Sequence, residues 1–286
     1  MNVRQIKQRA VAVEKTKKIV KAMQVVALTR LKKYEAAALH GKTYFETMHK
    51  MMAYISQDLA NRHPLLKDRK DEKVVWVLVI GSDKGLCGNF NTNMFKGLGA
   101  FIEEKKDKEV NIIPVGKKMV RYVMRRYADK VKLKLDKIDD DKQLNEFLDS
   151  LQDMLAAEYE AGRVDAFYIL YSEFKGHVLG KAGMLSVLPI RNIASNGNAS
   201  DLKANFIFEP DEDEVLAAVV KEYISSQVNQ AVLESRAAEE LSRMMAMKSA
   251  TENADKLLHG LMLTYHKARQ ASITGEIIEI INAQGV

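Results

Sequence analysis

Proline is confined to the middle of this chain, and no other sequence feature limits the fold as much. The four prolines are Pro64, Pro114, Pro189 and Pro210, so the first 63 and the last 76 residues contain none. Eleven of the 15 glycines fall between Gly81 and Gly197. Proline breaks a helix by removing a donor and clashing with the preceding turn, and glycine weakens one. Each end of the chain is therefore free to form one long helix, with the turns concentrated between them.

Apolar periodicity agrees. In the first segment apolar or small residues recur at Ile6, Ala10, Val13, Val20, Met23, Ala27, Leu31, Tyr34, Ala38, Phe45, Met48, Met52, Ile55 and Leu59. Steps of three and four, with two of seven, describe a coiled-coil seam. A second stripe runs through Val215, Val219, Tyr223, Ala231, Ala238, Leu241, Met245, Leu258, Leu261, Tyr265 and Ala268. The two helices are expected to pair with each other.

Between them, strand and helix patterns alternate. Val74–Ile80, Val110–Val115, Val131–Leu135, Val164–Phe174 and Val178–Ile190 read as strands; Asn91–Lys106, Lys117–Tyr127 and Leu144–Tyr159 read as helices. Such alternation predicts a small, mostly parallel sheet with flanking helices, the pattern of a Rossmann-like α/β domain. The segment Ala194–Ala204, rich in Ser, Asn and Gly, reads as a connector. The expected architecture is an α/β fold in three parts: a coiled-coil helix over 1–62, a central α/β domain over 63–210, and a second coiled-coil helix over 211–286 that pairs with the first.

If the helices run antiparallel from the central domain, Met1 falls beside roughly residue 270. At about 1.5 Å per residue this leaves a single-helix overhang about 25 Å long on a shaft of about 90 Å. The overhang contains Ile273, Ile277, Ile278, Ile280 and Ile281 on more than one face. A solitary helix that apolar requires a socket provided by other chains.

Charge points outward too. Residues 1–62 carry 13 Lys and Arg against 4 Asp and Glu, whereas residues 211–286 carry 7 against 12. Some of this is complementarity between the paired helices. The density at Lys15, Lys17, Lys18 and Lys21 exceeds what one acidic helix matches, and implies an acidic external surface.

Chemical motifs are sparse. The segment Gly81–Asn91 sits between a strand and a helix, where phosphate-binding loops occur. It lacks both GxGxxG and a terminal Gly-Lys-Ser/Thr, so it reads as turn chemistry rather than a nucleotide cradle. Cys87, the one cysteine, excludes an internal disulfide and reads as a small buried thiol. The six histidines, His259 and His266 included, form no ligand set, and Met244, Met245 and Met247 read as packing residues. No paired carboxylates or Ser/His/Asp set marks an active site, and neither metal nor cofactor is expected. The longest apolar run, Val74–Ile80, is too short to cross a bilayer, so no direct insertion is expected. Two other classes share parts of this pattern: a dinucleotide-dependent Rossmann-like enzyme, for which only Glu103 and Glu104 offer a ribose-binding acid, and a basic coiled coil binding nucleic acid. The lysine-rich first helix, nearly free of aromatic base readers, favours neither.

Three segments together resemble the gamma subunit of F-type ATP synthases: Ile6 to Arg9 with Thr16 to Ala27; Ser82 to Asn89 (SDKGLCGN); and Arg243 to Ala254 with Tyr265 to Thr274 and Glu276 to Ile280. The match spans the chain in order. The resemblance implies a non-catalytic central-stalk rotor inside a ring of three alpha and three beta subunits, its α/β foot bound to epsilon and standing on the membrane c-subunit ring. ATP chemistry then belongs to the beta subunits. By position, Arg269 and Gln270 match residues that bond a catch loop of beta, Met23 and Arg243 match beta-facing positions, and Thr274 and Glu276 match tip positions. Lys7, Arg9, Lys15, Lys18 and Lys21 would face acidic levers of beta. Phe206, Phe208 and Glu209 resemble the region that meets epsilon and the ring, with phenylalanine standing where many relatives have tyrosine. No nucleic-acid partner is implied. The lack of a presequence and of a two-cysteine insertion points to a bacterium and to the cytoplasmic side of its cell membrane.

Overall fold

The computed structural model describes residues 3–54, 72–137, 141–176, 181–190, 209 and 211–284, with the side chains at 49, 50, 53, 54, 141, 212, 213, 281 and 284 left undescribed. Two elements dominate: helix α1, Val3–Tyr54, and the C-terminal helix, Glu212–Gln284. Between them come β1 (Val74–Ile80), α2 (Phe90–Glu104), β2 (Glu109–Val115), α3 (Lys117–Arg126), a short 3-10 turn (Ala128–Lys130), α4 (Asp141–Glu160), β3 (Ala166–Ser172) and β4 (Ala182–Leu188). The C-terminal helix is α5. The chain divides into two compact units, Arg30–Ser242 and a second made of Met1–Thr29 with Arg243–Val286.

In the larger unit, the sheet order is β2-β1-β3-β4. β1 pairs in parallel with both β2 and β3, and β4 closes the other edge antiparallel to β3. β1 reads as an unbroken apolar run because a central parallel strand is covered on both faces. Val75, Val77 and Val79 meet α2 and α3 through Met94, Leu98, Met119 and Val123. Trp76, Leu78 and Ile80 meet α4 and α5 through Leu151, Leu155, Val220 and Val228. Met48 and Met52 of α1 join this second cluster, and Phe45 stacks on Tyr223 at 6.4 Å. Gly41 lets the two helices approach: a Cβ there would lie 2.6 Å from Gln230 Oε1.

Val131–Leu135 is not the strand that its pattern predicts. Only two isolated parallel bridges form, Ile112 with Val131 and Val115 with Leu135. The Lys132 amide donates to Ile112 O (3.3 Å) and the Leu135 amide to Pro114 O (3.1 Å). The bond that would join these needs an N–H at residue 114, and proline has none.

The predicted seams hold with one exception. Every described seam residue of α1 is buried or half-buried, and on α5 Met245 alone is exposed while Met247 is buried in its place. Stepping back by three from Met247 gives Met244 and then Leu241, so the true register bypasses 245.

A polar clasp closes the amino edge of the sheet. Glu72 accepts from Lys108 Nζ (2.7 Å), Lys105 Nζ (3.3 Å) and Tyr168 OH (3.0 Å). Burial pushes the Glu72 carboxyl up, but the bonds from Lys108, Tyr168 and Lys105 outweigh it and bring the pKa down from its ordinary 4.5 to about 2. A depressed carboxylate adds stability that is present above its unfolded pKa and lost as pH falls from about 5 toward 2. Glu72→Gln should therefore destabilise the chain at neutral pH by up to about 3 kcal/mol. The deficit should shrink toward pH 3. Urea unfolding of both proteins at the two pH values checks this; a deficit independent of pH would remove the ionic clasp as its cause.

Candidate functional site

In the smaller unit, Ile6, Ala10 and Leu261 are buried against one another, with Val13, Leu258, Tyr265 and Ala268 half-buried around them. Beyond Ala268 the seam ends. From Arg269 to Ile280 every residue is exposed except the half-buried Gly275, and Ile273, Ile277, Ile278 and Ile280 are each 43–57% exposed. Arg269 and Gln270 lie at the start of this stretch with both side chains exposed. Thr274 Oγ1 donates to Gln270 O (2.9 Å), and Ser272 Oγ donates to Glu276 Oε1 (3.2 Å). Both bonds follow the helix surface at i,i+4 and leave the Arg269 guanidinium fork facing outward, available for a carboxylate or carbonyl.

The cations of α1 sit on its outer face. Lys7, Arg9, Lys15, Lys18 and Lys21 are exposed. Lys18 meets Glu14 one turn earlier at 3.2 Å, and Lys17 pairs with Asp255 of α5. Among the described residues no carboxylate pairs with Lys7, Arg9, Lys15 or Lys21. Complementarity between the helices thus consumes Lys17 and leaves the rest as a positive surface. Exposed apolar residues Val11, Ile19, Val25 and Val26 alternate with it. Met23 is half-buried, and Arg243 is buried. Phe206 and Phe208 lie outside the described residues; Glu209 is exposed.

The Gly81–Asn91 loop is filled by its own side chains. Asn91 Oδ1 accepts from the Ser82 amide (3.2 Å), while Asn91 Nδ2 donates to Ser82 Oγ (2.7 Å) and Cys87 Sγ (3.2 Å). Ser82 Oγ donates to Lys84 O at 2.7 Å. Leu86 and Gly88 take positive φ values of 62° and 54°, which tighten the loop. Cys87 is buried, and its carbonyl accepts from Ser242 Oγ of α5 at 2.6 Å. Ser235 Oγ likewise accepts the Ser172 amide at the end of β3 (3.1 Å). The loop is a latch holding α5 across the carboxyl ends of β1 and β3.

Sequence reading missed the α5 half of that latch. Ser235, Arg236, Glu239, Glu240 and Ser242 are all buried, and in the larger unit Arg236 lies over the Tyr34 ring at 5.4 Å while Arg30 faces Glu240 at 3.6 Å. The signal was present in the small residues Ser235, Ala237, Ala238 and Ser242, which permit close approach. Among the described residues no cluster of three or more His, Cys, Asp or Glu could hold a metal. No described helix is long and apolar enough to cross a membrane.

Comparison with known proteins agrees with this geometry. The family model described as ATP synthase matches residues 2–285. The ATP synthase gamma chain of Fusobacterium nucleatum is 32% identical over 279 residues, covering 97% of this chain and 96% of that one. The chain belongs to the ATP synthase gamma chain family. The gamma chain of Mannheimia succiniciproducens is similar at 33% identity over 282 residues, with 97% and 96% coverage. Among solved structures, a chain of the Euglena gracilis mitochondrial ATP synthase (OSCP/F1/c-ring, rotational state 3) superposes with a TM-score of 0.67 at 21% identity, covering 99% of this gamma chain and 93% of its own length. A chain of the Tetrahymena thermophila central stalk and c-ring gives 0.60 at 22% identity, covering 81% and 99%. At such identities these two establish the shared fold. As a gamma chain the protein is a non-catalytic central-stalk subunit, in keeping with a Rossmann-like loop whose interior is filled by Ser82, Cys87 and Asn91.

Proposed function

We propose that this chain is the rotor of a bacterial F-type ATP synthase, transmitting torque between an ion-driven c-subunit ring and the catalytic beta subunits. The observation that carries the reading is the helix end beyond Ala268, apolar on several faces and uncovered by its own chain, beside a row of outward cations on α1. In this reading the end of α5 turns inside a ring of three alpha and three beta subunits. Arg269 and Gln270 bond a loop of beta and release it as the shaft turns, while Met23, Thr274 and Glu276 meet beta around the shaft; Arg243, buried in this chain, would meet it only through its small exposed edge. Lys7, Arg9, Lys15, Lys18 and Lys21 meet acidic levers that push on the rotor. The central domain, 63–210, is the foot between the coiled-coil segments 1–62 and 211–286. Phe206, Phe208 and Glu209 meet epsilon and the c-ring. The complex is peripheral to the cytoplasmic side of a cell membrane.

Pull-down of the tagged chain from its native membrane extract, with Mg-ATP hydrolysis assayed on the isolated chain and on the co-eluting material, tests this. Alpha, beta and epsilon should co-elute with all the hydrolysis. A lone chain that hydrolyses ATP or retains a nucleotide cofactor would overturn the rotor reading.

Lys18→Glu with Lys21→Glu should lower ATP synthesis by the reassembled complex several-fold, because reversal turns attraction to an acidic lever into repulsion. The chain's own unfolding midpoint should hardly move, since both side chains are exposed. Wild-type synthesis by that variant would remove the acidic levers from the mechanism.

A further inference from the structure

The corner of the larger unit formed by α3 and the segment after it bears a second positive surface, unrelated to the rotor tip. Between Lys117 and Lys137 stand nine Lys and Arg against two Asp. The next acidic residues along the chain, Asp139 and Asp140, lie outside the described residues. Lys117, Arg121, Arg125, Arg126, Lys132, Lys134 and Lys137 are exposed, and the one described carboxylate that feels any of them, Glu158 near Lys132, is itself bonded to Arg163 at 2.8 Å. The first turn of α3 has no acidic residue and instead holds Lys117 and Lys118, cations at the helix end where the backbone dipole disfavours them. The nearest acid there, Asp83, accepts the Lys117 backbone amide at 3.2 Å.

The cations fall in two rows. Lys117, Arg121 and Arg125 repeat every four residues along α3, about 6 Å apart. The chain then reverses through Ala128–Lys130 and returns beside β2, where exposed Lys132 and Lys134 alternate with half-buried Leu133 and buried Leu135. Carboxylates at i and i+4 on an α-helix recur at nearly the same interval as the α3 row. Two competing anionic partners fit less well. The apolar face of α3, Met119, Val120 and Val123, is spent on the sheet, so the helix has no apolar face left to sink into a bilayer. Of the two tyrosines at this corner, Tyr122 is stacked on Phe95 at 4.1 Å and covered by the Arg126 guanidinium at 5.0 Å, and Tyr127 is half-buried against the sheet cluster, so neither offers an open ring to a nucleobase.

We propose that this corner docks an acidic α-helical segment of a partner protein, with its carboxylates spaced one turn apart. The purified full-length chain can be titrated, at physiological ionic strength, with a labelled alanine-based helical peptide carrying four glutamates at i,i+4 spacing. A second peptide carries the same four glutamates consecutively. The spaced peptide should bind more tightly. Arg121→Glu/Arg125→Glu/Lys134→Glu should weaken it by about tenfold, and the corresponding glutamine variant by less. Reversal at Lys15, Lys18 and Lys21 of α1 should change it by less than about threefold, with circular dichroism confirming that every variant stays folded. Equal affinity for the two peptides, or affinity for the spaced peptide that survives reversal at the corner, overturns the proposal. So does corner-dependent binding seen only with phosphatidylglycerol vesicles or with oligothymidylate, which would identify a membrane or nucleic acid as the partner.

Discussion

Gly116→Ala should destabilise the larger unit by roughly 3–5 kcal/mol. Gly116 links β2 to α3 at φ 90°, a conformation that side chains rarely adopt. A Cβ there would lie 2.5 Å from Gly81 O and 2.9 Å from Gly81 C, both backbone atoms that cannot swing aside. The same position is fixed by hydrogen bonds on every side. The Gly116 amide donates to Leu135 O (2.8 Å), the Gly81 amide to Val115 O (2.8 Å), and the Val120 amide to Gly116 O (2.9 Å). Relieving the clash would break ladder contacts between β1, β2 and the 131–135 segment. Urea unfolding of the purified chain measures the loss, and a change below about 1 kcal/mol would mean that the turn relaxes without disturbing the sheet. Gly85→Ala serves as the comparison, because a Cβ there meets only Lys118 Cε and Nζ, both at 3.9 Å.

Deleting the last ten residues, 277–286, should separate folding from function. Ile6, Ala10 and Leu261 anchor the helix pair, and Ala268 is the last residue of α5 in that cluster. Removing what lies beyond takes away no seam contact, so the isolated chain should keep its melting temperature to within a degree or two. The assembled complex should respond strongly. Burying an exposed isoleucine contributes about 1.5–3 kcal/mol, and the deletion removes Ile277, Ile278 and Ile280 together from any socket. The yield of assembled complex, or the torque read from single-molecule rotation under load, should fall at least twofold. Unchanged yield and torque would show that the shaft is held by its lower contacts, and the apolar tip would need another explanation.

These experiments divide the protein along a line the sequence does not draw. In the larger unit, residues at the edges of the sheet decide stability: Gly116 at one turn, Glu72 at the amino edge, and Ser82, Asn91 and Ser242 at the latch. In the smaller unit, the residues proposed to meet beta are mostly exposed and contribute little to the stability of the isolated chain. Substitutions in the two groups should therefore add independently when combined.

Helix and strand identity was written in the sequence because each follows from local rules. A long run without proline and a step of three and four are enough to specify α1 and α5, and a seven-residue apolar run is enough to specify a central parallel strand. The overhang was legible as well, since helix length and the position of the turns fix where two antiparallel helices stop overlapping. The full set of ordered motifs identified the family. The register of single residues was not legible. Met245 and Met247 are chemically alike and two positions apart, and only packing decides that Met247 is buried while Met245 faces solvent. The 131–135 segment has a strand's alternation, yet the missing N–H of Pro114, on the neighbouring strand, leaves it two isolated bridges. The role of Ser242 was invisible for the same reason: its partner, the Cys87 carbonyl, lies 155 residues away. Sequence determines what a local segment prefers; contacts between distant segments, each conditional on all the others, belong to the tertiary structure alone.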